Sequence, residues 1–471
     1  MKSGAIMRTV ISNVLTITYP TPEVEKWCKD NLVLSNPEYA KKERMGFWLG
    51  NTPKQLHLYE RRGDALILPF GCYESIFPLI SKTLEYAAFS RLTERFYASP
   101  IPMYDYQTIA VENMIGAVYG ILRAPAGSGK TQMGLELIRQ IGTKALWITH
   151  TKDLLKQSKD RASLYFDSKL LGVISEGKVE IGRWITFATV QTLSRLDLTQ
   201  YKDEWDVVVV DECHRVAGTP TAVTQFSHVL NSLAARHKYG LSATVHRADG
   251  MIKATYALLG PVKYTVPDEA VKERVMQVGI KVCGTELPES YLYCESDGMI
   301  NHQKLVSYIV GDWDRNVQIV NDIRRNATHS CLILSDRIEH LEILKDMLDA
   351  LLQPYAALIT GKMTTKKGKA EREAAIEDMR SGKKRFLFAT YSLAKEGLDI
   401  PILDRLFLVT PQKDYAVITQ SIGRIARRVK EKDEPIVYDY VDGNIQYLYN
   451  CFKKRKTIYR KNNCYEAENY E

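Results

Sequence analysis

The clearest chemistry in this chain lies in the stretch Ala124-Pro125-Ala126-Gly127-Ser128-Gly129-Lys130-Thr131. It follows a short apolar stretch, Gly120–Leu122, and opens onto a run with helical spacing, Gln132–Gln140. A glycine-rich turn between a strand and a helix suits a triphosphate. Gly127 and Gly129 let the backbone come close and point several N–H groups at phosphate oxygens. Ala126 and Ser128 complete the cradle. Lys130 is placed for the β- and γ-phosphates, and the Thr131 hydroxyl for Mg2+. Ala124 stands where such loops usually begin with glycine, so this is a variant whose phosphate-contacting end, Gly127 to Thr131, is intact.

A second constellation, Asp211-Glu212-Cys213-His214, directly follows Val207-Val208-Val209-Val210. A strand apolar throughout is one buried on both faces. Carboxylates at its carboxyl end project into the crevice where open α/β sheets bind ligands. Asp211 is placed to hold Mg2+, and Glu212 to orient and deprotonate an attacking water. Hydrolysis of a γ-phosphate needs little more than such positioning and charge neutralisation. His214 has two readings, a link from this loop to a neighbouring domain or an ordinary packed histidine.

These residues need a doubly wound sheet to position them, and from about residue 100 the pattern supplies one. Strands are expected at Gly120–Leu122, Ala145–Thr149, Ile185–Thr189, Asp206–Val210 and Tyr239–Ser242, with amphipathic stretches between them. A second alternating set has strands at Ser330–Leu334, Ala356–Ile359, Phe386–Ala389, Arg405–Thr410 and Ile436–Asp439. Its helices are expected at Ile338–Leu352, Ala370–Ser381 and Tyr415–Ile425. Two similar sheets with one phosphate loop put the triphosphate where the domains meet. Residues 1–97 carry no nucleotide motif and read as a small α+β accessory domain with basic and aromatic residues, among them Lys41, Lys42, Arg44, Trp48, Tyr59, Arg61 and Arg62. Two readings stand for it, a structural cap or a nucleic-acid-binding domain, since Arg and Lys beside aromatics suit phosphates and unpaired bases. The expected division is therefore 1–97 accessory domain, 98–265 first α/β domain, which carries the phosphate loop, 266–300 crossover or insertion, 301–450 second α/β domain and 451–471 basic tail. That tail reads either as solvated or as a phosphate contact.

The totals agree with an ordinary globular chain of 471 residues, 45% hydrophobic and 25% charged. No run approaches the 18 consecutive apolar residues of a membrane span, and no export segment opens the chain, so a cytoplasmic location is expected, in the host if the source is viral. The net charge of +8 favours a polyanionic partner. Eight scattered cysteines form no Cys-x-x-Cys pair, so free thiols and no zinc are expected.

The phosphate loop, Asp211–His214, Leu241-Ser242-Ala243-Thr244 and Gln420-Ser421-Ile422-Gly423-Arg424-Ile425-Ala426-Arg427, in this order over roughly residues 103–440, resemble a superfamily 2 helicase of the DExH type. The resemblance implies two tandem RecA-like domains behind the accessory domain, ATP and Mg2+ as cofactors, and a nucleic acid as partner. It places Gln107 against adenine. It places Gly397 and Asp399, within Thr390–Pro401, in the second domain's phosphate grip. It makes Lys130, Asp211, Glu212, Gln420, Arg424 and Arg427 catalytic. Arg424 and Arg427, three apart on one expected helix, share a face and act as arginine fingers. Nucleic-acid backbone contacts fall to His150, Thr151, Lys152, Thr189, Gln191, Thr192, Ser335, Arg337, Thr360, Gly361 and Thr390, whose hydroxyls and backbone N–H groups suit phosphates, though helix capping is the other reading of any one of them.

Within the superfamily, Ala243-Thr244-Val245-His246-Arg247-Ala248-Asp249-Gly250 resembles the Ala-Thr-x-x-Arg-x-Asp-Gly segment of DNA-acting members, with Val245 in place of the usual proline. The compact layout is most like the bacteriophage UvsW-like group. That likeness implies a monomeric DNA helicase or translocase for forks, strand-invasion loops and four-way junctions in recombination, repair or replication. A DExH RNA helicase and a duplex translocase or annealing motor that separates no strands are the alternatives.

Overall fold

The computed structural model describes residues 6–86, 94–125, 127–244, 250–271, 275–288, 301–363, 365–395, 398–430 and 432–467. They form two compact units, Met1–Ala270 and Val271–Glu471.

The first unit is built on an eight-stranded sheet. Its order is Lys178–Glu180, Leu171–Ser175, Ile185–Thr189, Ala145–Thr149, Val207–Asp211, His237–Ser242, Tyr119–Arg123, Val262–Thr265. All neighbours run parallel except the first pair. The valine strand is central and buried at every residue, as its sequence requires. Each buried valine contributes about 1.5–3 kcal/mol relative to exposure. Every parallel strand therefore ends on the same edge, and that edge carries the phosphate loop after Arg123, His150 after Thr149, Gln191 after Thr189, Glu212 after Asp211 and Ala243 after Ser242.

The N-terminal residues form a five-stranded sheet, in the order Glu60–Arg62, Ala65–Pro69, Val14–Thr18, Arg8–Ile11, Leu84–Tyr86. This sheet shares its core with the rest of the unit. Ile11, Leu68, Cys72 and Ile76 cluster with Ala217, Val223, Met251, Ala254 and Ala257. Gly71 lies against Gly260, where an added Cβ would come within 2.4 Å of the Gly260 nitrogen, so a larger residue is excluded.

A buried lysine sits at this seam. Lys238 is 2% exposed, and its ammonium donates to the carbonyls of Leu230 at 2.8 Å and Asn13 at 3.2 Å. Burial pushes it down to about 7. Because the folded value lies below the unfolded one, the unfolded chain binds the extra proton between them, and stability rises with pH across that window. Lys238→Met removes the effect. Relative to wild type, the variant is expected to be most favoured below about pH 7, with the gap closing by up to about 1.4 kcal/mol per pH unit as pH rises toward 10.5. Urea unfolding at a series of pH values tests this, and parallel wild-type and variant curves contradict it.

The second unit holds a seven-stranded sheet, ordered Ala356–Ile359, Phe386–Thr390, Cys331–Ser335, Arg405–Leu408, Ile436–Asp442, Gly279–Thr285, Tyr465–Glu466, with every pair parallel. Two expectations are corrected here. The stretch taken as a crossover, 266–300, supplies the strand Gly279–Thr285, which pairs along its whole length with Ile436–Asp442. The stretch taken as a basic tail is the second half of the helix Gln446–Lys461 followed by an edge strand. Arg455 is not solvated. It is 2% exposed and pairs with Asp439 at 2.8 Å, and Tyr459 donates to the same carboxylate at 2.7 Å. Burying that carboxylate is tolerated because both partners are present.

Among the described residues no helix is long and apolar enough to cross a membrane. The seven described cysteines are free.

Candidate functional site: a phosphate loop and its carboxylates

The loop after Arg123 holds Gly127 and Gly129 at φ +81°, the left-handed region that glycine adopts without strain. The helix Lys130–Ile141 begins directly behind it. Ala126 lies outside the described residues. Ser128 is fully buried, its hydroxyl has no partner among the described residues, and its carbonyl accepts from Gln107 Nε2 at 2.8 Å and the Tyr106 hydroxyl at 3.0 Å. Gln107, expected against adenine, is 2% exposed and braces the loop from beneath. Its Oε1 also accepts from the Tyr104 N–H at 3.0 Å, so both ends of the amide are engaged. An added Cβ on Gly129 would come within 2.4 Å of the Gln107 amide, so brace and glycine depend on each other.

Lys130 and Glu212 come together at this edge, Nζ to Oε1 3.7 Å. Asp211 is buried beside them. It accepts from its neighbour's N–H at 2.9 Å and from Ser158 at 3.4 Å. Burial, and then the adjacent Glu212 charge, raise its carboxyl above the ordinary range. Two carboxylates against one ammonium leave a net negative, poorly solvated site. That donor set fits a hard divalent cation, and the Thr131 hydroxyl stands in the first turn of the adjoining helix.

Glu212 has φ +48°. A non-glycine residue there costs about 1–3 kcal/mol and persists where the surroundings enforce it. The turn swings the Glu212 carboxylate back toward Lys130 and carries His214 beneath it. His214 Nδ1 lies 3.3 Å from Glu212 and 3.1 Å from Ser242 Oγ, and that hydroxyl donates to the Thr244 carbonyl at 2.6 Å. His214 is thus a link within its own unit, from the carboxylate loop to the Ser242–Thr244 turn. The Ala124 N–H donates to the Ser242 carbonyl at 2.9 Å, which ties the phosphate loop into the same chain.

Farther along this edge, Gln191 donates to the His150 carbonyl at 2.9 Å. Thr151 caps the helix Lys152–Ala162, Thr189 and Thr192 share a hydrogen bond of 2.9 Å, and Lys152 pairs with Glu176. These six residues of the expected nucleic-acid set lie along one edge. In the second unit Thr390 ends its strand, Thr360 and Gly361 follow the strand Ala356–Ile359, and Arg337 follows the strand Cys331–Ser335. Ser335 is fully buried, with its hydroxyl against His340 Nδ1 at 3.2 Å and accepting from the Arg337 N–H, so it shapes the turn.

The paired arginines also differ from expectation. Arg424 lies on the helix Tyr415–Ile425, its Nε donating to the Ala394 carbonyl at 3.1 Å. Arg427 lies beyond the helix end, in a bridge with Val275, so the two do not share a helical face. Asp399 gathers them instead. Its carboxylate holds the Arg427 guanidinium; burial works to raise its pKa, and Arg427, Arg380 and Arg424 outweigh that and hold it low. Lys432, which the sequence did not single out, donates to the carbonyls of Ile425, Arg427 and Pro401 at 2.7, 2.8 and 3.1 Å and fixes the backbone that carries Arg427. Gln420 has a buried Oε1 with no partner among the described residues. Gly397 and the segment Val245–Asp249 lie outside the described residues.

Comparison with known proteins follows the same division. Residues 100–247 match the family described as the res subunit of type III restriction enzymes, and residues 314–429 match the helicase conserved C-terminal domain. A relative from Acanthamoeba polyphaga mimivirus, provisionally named an ATP-dependent RNA helicase, is 26% identical over 74% of this chain, which spans 64% of that relative's length. A DNA 3'-5' translocase of Sulfurisphaera tokodaii is 23% identical over 74% of this chain and 83% of its own. Among solved structures, S. cerevisiae Dbp5 bound to RNA matches over 85% of this chain and 94% of its own at 15% identity, TM-score 0.56. T4 UvsW matches over 98% and 99% at 17% identity, TM-score 0.43. With the two helicase domains matched in order on two parallel sheets, the chain belongs to the superfamily 2 helicases.

Proposed function

We propose that this protein is an ATP-dependent DNA helicase or translocase that works on branched DNA, of the UvsW-like kind. The observation that carries the ATPase part is the meeting of Lys130, Asp211 and Glu212 at the carboxyl edge of one sheet, with His214 connecting them to Ser242. Lys130 and the loop N–H groups take the phosphates. Asp211 and Thr131 hold Mg2+, which supplies charge neutralisation on the transferring phosphoryl group. Glu212 accepts the proton of the attacking water. Gln420, Arg424 and Arg427 belong to the same reaction, with the guanidinium groups spreading the developing charge. Release of the γ-phosphate changes what Glu212 carries, and His214 passes that change to Ser242 and Thr244. The adjoining edge, from His150 to Thr192, contacts the nucleic-acid backbone.

DNA is favoured by the Arg247-Ala248-Asp249-Gly250 segment and by the relatives named for DNA translocation. RNA is the second reading, on the strength of the mimivirus relative's name. Steady-state ATP hydrolysis without nucleic acid, and with single strands, duplex, a fork, a four-way junction or RNA at matched nucleotide concentration, decides between them. The fork and junction are expected to stimulate most. Stimulation by RNA alone overturns the substrate while leaving the motor standing, and equal stimulation by linear duplex removes the branch specificity.

A further inference from the structure

In the N-terminal domain, the strands Val33–Ser35 and Gln55–His57 pair as the base of a hairpin whose connection, residues 36–54, is far longer than a turn requires. The helix Pro37–Arg44 inside it buries none of its residues. An eight-residue helix has little stability of its own in water. This one is held by polar contacts. Asn36 caps it and also donates to the Pro53 carbonyl at 2.7 Å, Pro37 opens it, and the Lys42 ammonium reaches across to the Thr52 hydroxyl at 2.8 Å. The result is a stiffened projection that contributes nothing to a core, so the fold does not account for it.

Its tip is apolar and exposed. Met45 is 50% exposed, Phe47 57% and Trp48 89%, the highest value among the large hydrophobic side chains of the described residues. The six-membered ring of Trp48 lies over Gly50, which has φ +50° and where an added Cβ would meet the ring at 3.0 Å. The same projection carries Lys41 and Arg44 on its helix and Lys54 at its base, all exposed, and the segment holds four basic side chains against two acidic ones, Glu38 and Glu43.

We propose that residues 36–54 form a nucleic-acid-contacting prong in which Trp48 stacks on an unpaired base while Lys41, Arg44 and Lys54 face the flanking phosphates. An exposed aromatic ring on a projection that also carries exposed ammonium and guanidinium groups suits a base and its neighbouring phosphates, and stacking is tolerant of sequence because every base has a π-face. An unpaired base is available in single strands and at branch points but not inside a duplex. The inference rests on the nucleic-acid motor reading above and adds to it the element that senses unpaired bases.

The test compares the full-length wild type with Trp48→Ala and Trp48→Phe, using oligothymidylate, a forked duplex and a blunt duplex. Trp48→Ala is expected to weaken binding of oligothymidylate and fork about 5- to 150-fold, the range set by loss of one stacked base. Blunt-duplex binding and ATP hydrolysis without nucleic acid stay within twofold. Trp48→Phe keeps most of the affinity but loses the tryptophan quenching that the single strand produces in wild type. Unchanged affinity of Trp48→Ala for both oligothymidylate and fork, with wild type binding normally, overturns the prong alone. Equal weakening on the blunt duplex also overturns it. If wild type binds no nucleic acid, the motor reading falls and the prong with it.

Discussion

Replacing Glu212 with glutamine is expected to lower ATP turnover about a hundred- to ten-thousand-fold, the usual contribution of a positioned general base. Binding of ATP and of nucleic acid is expected to survive. Glutamine has nearly the same shape: its carbonyl oxygen can still accept from Lys130, 3.7 Å away, while its NH2 faces His214 Nδ1, 3.3 Å away, which can accept in its neutral form, so the local packing is preserved. What is lost is the negative charge and with it the ability to take a proton. The substitution is not expected to cost stability. The Glu212 charge is one of the causes that raise the buried Asp211 carboxyl, and removing it relieves a like-charge contact. A variant that melts no lower than wild type, binds a fluorescent ATP analogue normally and turns over at background rate meets all of this. Turnover within tenfold of wild type removes Glu212 from its role. A variant that turns over slowly because it no longer binds nucleotide assigns it to binding instead.

The parts of this site that were legible in the sequence are those that depend on residue type at fixed local spacing. Gly127 and Gly129 are needed where the backbone takes φ +81°, and the four valines are needed where a strand is buried on both faces. Each announces itself within a few residues. The hairpin Leu171–Ser175 and Lys178–Glu180 escaped notice, because its second strand is fully exposed and therefore carries no apolar alternation. Gly279–Thr285 escaped because prolines and glycines around it read as irregular, although pairing along seven residues makes it a strand. Partnerships across long sequence separations were the least legible. Ser158 beneath Asp211, Gln107 beneath Ser128 and Asp439 between Arg455 and Tyr459 join residues on different elements. Helical spacing sets Arg455 on one face with Leu448, Cys451, Ile458 and Tyr459, but nothing near it in the chain names Asp439 as its partner.

The same limit applies to Arg427, whose replacement has the largest expected effect on the second unit. Spacing alone put it on a helical face with Arg424. The structure places it past the helix end, with its backbone held by Lys432 and its guanidinium held by Asp399. A guanidinium so held has two roles open to it. It can stabilise Asp399, a half-buried carboxylate that would otherwise lack its strongest partner, or it can meet the transferring phosphoryl group. Arg427→Ala alone does not separate them, because an uncompensated Asp399 destabilises its surroundings as well. Arg427→Lys does. Lysine keeps the charge opposite Asp399 but lacks the planar fork that fits a phosphoryl group in two places. With a finger role, Arg427→Ala is expected to lower turnover about a thousand- to a hundred-thousand-fold, and Arg427→Lys to restore the melting temperature while restoring little of the rate. Full recovery of turnover by the lysine variant makes Arg427 a support for Asp399 only. Loss of ATP affinity with unchanged turnover per bound ATP makes it a binding residue, and the charge on the transferring phosphoryl group then falls to Arg424.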